Sequence, residues 1–287
     1  MAQLKPPTTY LQQIEILRSR GCQVTDEQFC IKILSQINYY RLSAYFLPFR
    51  KSDENYLPDT DFEKIYQIYE FDRYLRNYLF AAIEEVEVYL RAKFAYYHAH
   101  KYSEIGYLNA ANYNNKHRHD KFKTLIETEI EKNRKTLFVQ HHLENYEGKF
   151  PIWVITELFT FGMLSYFYSD LPTPDQKQLA REMYQTIPQS LISWFRCCTD
   201  LRNICAHYGR LYYRIFSAIP ANIAELEENS KRRLYGAVLA LRALYPDIDK
   251  WNSGIYILLR ELIKSNSHVI NLEHIGFPAD WESKLKK

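Results

Sequence analysis

In Leu201-Arg202-Asn203-Ile204-Cys205-Ala206-His207 an arginine and a histidine stand with four residues between them, and an asparagine sits beside the arginine. An imidazole moves a proton near neutral pH. A guanidinium is always charged and forks onto phosphate oxygens, and a carboxamide can orient either one. The three make a compact kit for cutting RNA. Arg-x4-His also arises by chance, and a solvated polar helix face accounts for the same letters.

The element that must carry these residues reads as a helix from Leu191 to about Arg214. At about 100° per residue, Leu191, Trp194, Cys198, Leu201, Cys205 and Tyr208 form an apolar stripe that packs into a core. Arg196, Asp200, Asn203, His207, Arg210 and Arg214 fall on the other side, with Arg202 on the boundary. An ideal helix sets Arg202 and His207 roughly 140° apart. Their tips then converge only if Arg202 curls round or the helix distorts.

A long helix capped by Asp61 and reaching toward His100 is the natural support. Leu75, Leu79, Ile83, Val86 and Leu90 recur at steps of three and four, a core stripe. Glu84, Glu87 and Arg91 share another face, and Glu87 and Arg91 are spaced for an i,i+4 ion pair. Exposed, that pair contributes little; buried beside Arg202 and His207, it holds their geometry.

With 287 residues, the chain fits one large domain or two small ones. Only 8 glycines favour helices over a turn-rich sandwich or a dinucleotide fold, so an all-α protein is expected. Further helices are read from a Thr cap to Gly21, from Asp26 to Ile37, near Asp120 to Lys135, from Pro151 through Leu164, from Pro174 to Thr186, from Ser230 to Tyr245 and from Asp247 to Ser265. Tyr40 to Arg50 is the one passage read as a candidate extended segment. Residues 1–56 read as a small helical N-terminal module and 57–287 as a helical domain with a polar insertion at about 101–150.

Net charge is +3, from 37 basic and 34 acidic residues, so any basic surface must be local. The most basic short window holds Lys116, Arg118, Lys121 and Lys123; Arg41, Arg50 and Lys51 add a second group. The first is a charged loop opening a helix or a contact to RNA phosphates, and both groups are candidates for holding a longer structured RNA. Five cysteines without a C-x-x-C pair read as reduced thiols. No apolar run approaches a membrane span and the start of the chain lacks a secretory core, so a cytoplasmic protein without membrane contact is expected. H-E-x-x-H, a Walker loop, G-x-S-x-G and G-x-G-x-x-G are absent from the sequence. Neither His141-His142 nor His117-x-His119 has zinc-ligand neighbours. No metal and no cofactor are expected.

Several blocks resemble the Abi (AbiD/AbiF-like) abortive-infection family of bacteria. Ile37 to Tyr45 is similar to the family's opening signature, with Ala44 where glycine is usual. Phe71-Asp72-Arg73-Tyr74-Leu75-Arg76, with Ile83 to Glu87 and Leu90-Arg91, looks like its second block. Pro151-Ile152-Trp153-Val154 with Glu157 and Phe161-Gly162 looks like its third, Leu201 to His207 its fourth, and Gly276-Phe277-Pro278 with Trp281 its end. The resemblance implies an all-α HEPN-like helical bundle and metal-free RNA cleavage by an Arg-x4–6-His pair, usually between two such domains. Carried over, Arg202 and His207 are the active pair with Asn203 beside them, while Asp200, Glu84, Glu87 and Arg91 support them. The implied partners are RNA, including a structured non-coding RNA, and a second copy in a homodimer. Arg196, Arg210 and Arg214 then join the RNA contacts. A non-catalytic RNA-binding or protein-interaction module that senses infection is the alternative.

Overall fold

The computed structural model describes Leu4 and residues 6–287; Met1–Gln3 and Lys5, at the start of the N-terminal module, lie outside the described residues. The protein is all-α. Thr9 opens α1 (Tyr10–Ser19) with a reciprocal cap, its hydroxyl accepting from the Gln12 amide while the Gln12 side chain accepts from the Thr9 amide. Asp26 caps α2 (Glu27–Gln36) and Asn38 caps α3 (Tyr39–Ser43). The expectation of an extended Tyr40–Arg50 is corrected here. A 3₁₀ turn at Ala44–Phe49 follows α3, because Leu42, Tyr45 and Phe46 recur at helical spacing and bury on one side. Among the described residues only two isolated bridges, Gln23 with Asp61 and Arg50 with Tyr56, have strand character.

Asp61 accepts from the Lys64 amide and opens α4 (Phe62–Tyr102), a 41-residue helix about 60 Å long at 1.5 Å per residue. Ile65, Ile68, Phe71, Leu75, Leu79, Ile83, Val86, Leu90 and Phe94 run along its buried side. This helix is the spine of the molecule. The polar stretch after it carries α5 (His119–Lys132) and α6 (Leu137–Asn145). The expected single helix from Pro151 through Leu164 is two: α7 (Ile152–Ile155) with a 3₁₀ turn at Thr156–Leu158, then α8 (Phe161–Asp170). The break has a cause in Thr160, whose hydroxyl accepts from the Met163 amide and starts a new cap.

The remaining helices are α9 (Thr173–Tyr184), α10 (Pro188–Ala206), α11 (Leu234–Leu244), α12 (Ile248–Lys250), α13 (Tyr256–Ser265), α14 (Leu272–Ile275) and α15 (Trp281–Leu285). A π turn at Trp251–Ile255 joins α12 to α13. α10 packs against α4, α8 and α11 through Leu191, Trp194, Phe195, Cys198, Leu201 and Cys205. One hydrophobic cluster runs from Ile14 to Leu285. All five cysteines are free and buried within it, and burial pushes the Cys205 thiol up to about 12. None of the described helices is long and apolar enough to cross a membrane.

Candidate functional site

α10 stops at Ala206, not near Arg214 as its periodicity predicts. His207 is the C-cap, Tyr208 takes φ +56°, the Tyr208 amide donates to the Cys205 carbonyl at 3.1 Å and the Gly209 amide to the Ile204 carbonyl at 2.7 Å. This is a Schellman ending with a tyrosine where glycine is usual. Glycine is favoured one place later. A Cβ on Gly209 would sit 3.0 Å from Ile204 Cγ2 and 3.2 Å from the Ile204 carbonyl oxygen that takes its own hydrogen bond.

This ending decides where the predicted residues lie. The His207 amide keeps its helical bond to the Asn203 carbonyl at 3.0 Å, and both side chains lie toward solvent, with Asn203 exposed and His207 beside the exposed Tyr208. Arg210 and Arg214 leave the helix for the loop beyond, so they do not extend its polar face. Arg210 is half-buried, with Nη1 left without a partner and its guanidinium pushed below its ordinary value by burial. Arg196 and Arg214 are exposed, and Asp200 accepts from the Ser217 hydroxyl at 2.9 Å.

A buried clasp holds the loop in place. Asp72 on α4 is fully buried and accepts from the Tyr45 hydroxyl at 2.6 Å, the Tyr212 amide at 2.8 Å, the Leu211 amide at 3.1 Å and Arg76 Nη1. Burial pushes the Asp72 carboxyl up, against the pull of Arg76, Tyr45 and the two amides. Arg76 Nη1 also reaches the Gly209 carbonyl at 3.3 Å. From α3, Arg41 Nη2 donates to the carbonyl of Tyr208. Two distant segments, α3 and α4, thus converge on the residues just after His207.

Arg202 meets the same helix α4 further along, because α10 runs antiparallel to it. Glu87 gives its close contact to Arg91, at 2.6 Å, and Arg91 also donates to the Phe159 carbonyl at 2.8 Å. That carbonyl is available because the chain breaks between α7 and α8. Arg202 Nε lies 3.8 Å from Glu87 Oε2, near enough for charge attraction and too far for a hydrogen bond. Arg202 and Arg91 each keep an unsatisfied Nε. Burial pushes the Glu87 carboxyl up, opposed by Arg91 and Arg202. Glu84, one turn away, is exposed.

The structure brings Arg202, Glu87 and Arg91 together and sets Arg41 against the residue after His207. It does not bring the insertion's cations to α10. Lys116, Arg118, Lys121 and Lys123 lie around the start of α5, which is anchored by Phe122 against Phe159 and Phe167. Arg50 pairs with Glu54, and Lys51 is exposed beside it. Sequence reasoning missed Tyr45, Asp72 and Arg76 as positioning residues. The signal was present: Asp72 and Arg76 sit four apart inside the stripe Ile68, Phe71, Leu75, Leu79, so they must be buried as a pair.

No curated protein and no solved structure matches the chain. A family model described as Abi-like protein matches residues 32–213, more than half of the chain, from within α2 to just past the clasped loop. The chain therefore belongs to the Abi-like protein family, a membership that points to a role in abortive infection, a phage-defence response.

Proposed function

We propose that the protein is an endoribonuclease of the HEPN type, acting in the cytoplasm and cutting RNA by 2′-hydroxyl transesterification at Arg202 and His207. One observation carries the reading. Arg202 is held near the surface by Glu87 without being locked by it, on the same helix end that carries His207 as its cap. A fully chelated arginine would have no donor to spare. Here Arg91 takes the close contact with Glu87, and the guanidinium of Arg202 keeps its fork for a phosphate.

In the proposed reaction the ribose 2′-oxygen attacks the adjacent phosphorus and the 5′-oxygen leaves. The products are a 2′,3′-cyclic phosphate and a 5′-hydroxyl. Arg202 stabilises the charge that builds on the phosphoryl oxygens. Two protons move, one off the 2′-hydroxyl and one onto the leaving oxygen, and each chain offers one His207. The offset of roughly 140° around the helix also keeps Arg202 and His207 of one chain from closing on one phosphate. A homodimer that sets two α10 ends across a shared cleft answers both needs, and Asn203 then orients the pair. RNA is the substrate, and a structured non-coding RNA is a second partner.

The test is incubation of purified protein with RNA in EDTA, followed by analysis of the fragment ends. Cyclic phosphate ends that vanish in His207→Ala, with folding intact, are expected. Equal cleavage by both proteins, or activity that needs added metal, refutes the mechanism.

A further inference from the structure

Beside the end of α10 lies a cavity of about 530 Å³, lined by Arg41, Arg73 and Arg76 together with Tyr69, Phe80 and Tyr208, and none of its described lining residues is a carboxylate. Each guanidinium is anchored by one edge. Arg41 is fixed through Nη2 on the Tyr208 carbonyl. Arg73 is gripped at Nε and Nη2 by Glu70 and lies 4.4 Å over the Tyr74 ring. The hydrogen bonds of Arg76 run through Nη1. Every one of the three therefore keeps guanidinium donors that make no hydrogen bond with the described residues of the protein. Phe80, 39% exposed, and Tyr208, 71% exposed, both border the cavity and leave ring surface open to it.

Prearranged guanidinium forks fit phosphate oxygens, and aromatic faces fit bases. The volume lies in the range of small-ligand sites. We propose that this cavity is a nucleotide subsite, taking the base and phosphate of the residue next to the bond that is cut in single-stranded RNA. Arg73 and Arg41 hold the phosphate, and Phe80 and Tyr208 stack the base. Tyr208, next to the C-cap His207, donates its amide to the end of α10 and lines this cavity, so a bound strand lies beside His207. The place in a reaction rests on the ribonuclease reading; the binding does not.

The experiment uses a fluorescent four-nucleotide 2′-O-methyl oligouridylate, which lacks the attacking hydroxyl and is not cut. Anisotropy at several salt concentrations gives the affinity. Arg73→Gln is expected to weaken binding about tenfold and to lower the salt slope by about one. Phe80→Ala is expected to weaken it about tenfold with the slope unchanged. Thermal melts check that both variants fold. Wild-type affinity in both variants, or no oligonucleotide binding by the wild type, overturns the subsite. Binding that is lost in the variants while ordinary RNA is never cleaved supports the subsite and sinks the ribonuclease reading instead.

Discussion

Two polar clusters on α4 secure the site, one gripping the loop that follows α10 and the other facing Arg202 on α10 itself, and they are built to different standards. Around Asp72 the carboxylate itself is saturated: a hydroxyl, a guanidinium and two backbone amides converge on it in the interior. Around Glu87 the contacts are uneven, with one at 2.6 Å and one at 3.8 Å, and two arginine Nε atoms are left over. Buried polar groups are expensive to leave unsatisfied, so a closed cluster is what a structural clasp requires. An open one keeps donor capacity for something that arrives later. The first fixes where α10 stops; the second leaves Arg202 available.

The largest effect expected from this contrast is on stability. Asp72→Ala strands Arg76, the Tyr45 hydroxyl and two amides in the interior, a loss of about 3–5 kcal/mol of the kind seen when one partner of a buried pair is removed. Urea unfolding measures it. A loss no larger than that of Glu87→Gln would erase the distinction between the clusters.

His98 extends the comparison to a buried group with no partner at all. Its ring is fully buried, both nitrogens lack hydrogen bonds, and burial lowers its pKa from 6.5 to about 4. The folded state then binds fewer protons than the unfolded chain between those values, so stability falls as pH drops from 6.5 toward 4. The loss is on the order of 3 kcal/mol at about 1.4 kcal/mol per unit. Urea midpoints at about pH 7 and about pH 4.5, which span most of that window, test this, and His98→Phe should remove much of the slope. An unchanged slope in that variant shows that other groups carry it.

Much of this was legible beforehand. Asp61, Asp26 and Thr9 announced their helices because a cap is a local event, read from one side chain and the next three amides. The spine was plain because its apolar residues repeat at the helical period. The end of α10 was not legible, since Arg210 and Arg214 continue the same spacing and a tyrosine occupies the left-handed position. Gly209 marks the stop, but its reason is the closeness of Ile204, which only the fold brings about. The support of Arg202 was half legible. The i,i+4 spacing of Glu87 and Arg91 was visible; the Phe159 carbonyl that makes Arg91 a fixed post depends on a break sited by Thr160.

A smaller effect is expected at Gly209. An alanine there forces Ile204 to give by a few tenths of an ångström and costs about 1 kcal/mol, typical of a disturbed helix end. The more telling readout is the oligouridylate affinity, because Tyr208 moves with Gly209. A variant with lost stability and unaltered affinity would separate the helix ending from the nucleotide subsite.

The smallest effect on stability belongs to Glu87→Gln. Glutamine keeps an oxygen for Arg91, which also retains the Phe159 carbonyl, and Arg202 gives up only a 3.8 Å charge attraction without a hydrogen bond. A change under about 1 kcal/mol is expected, as for partly exposed pairs. The sign of its pH dependence is fixed by the raised carboxyl. A folded-state value above the ordinary Glu value means that Glu87 contributes most at low pH, and that contribution is lost as pH rises through the folded value. Glu87→Gln should therefore flatten the corresponding part of the stability profile while leaving the His98 slope below pH 6.5 intact. In the cleavage assay the same variant leaves Arg202 unanchored, so kcat should fall more than KM rises. If kcat is unchanged, Glu87 positions nothing that the reaction uses, and the openness of its cluster is incidental.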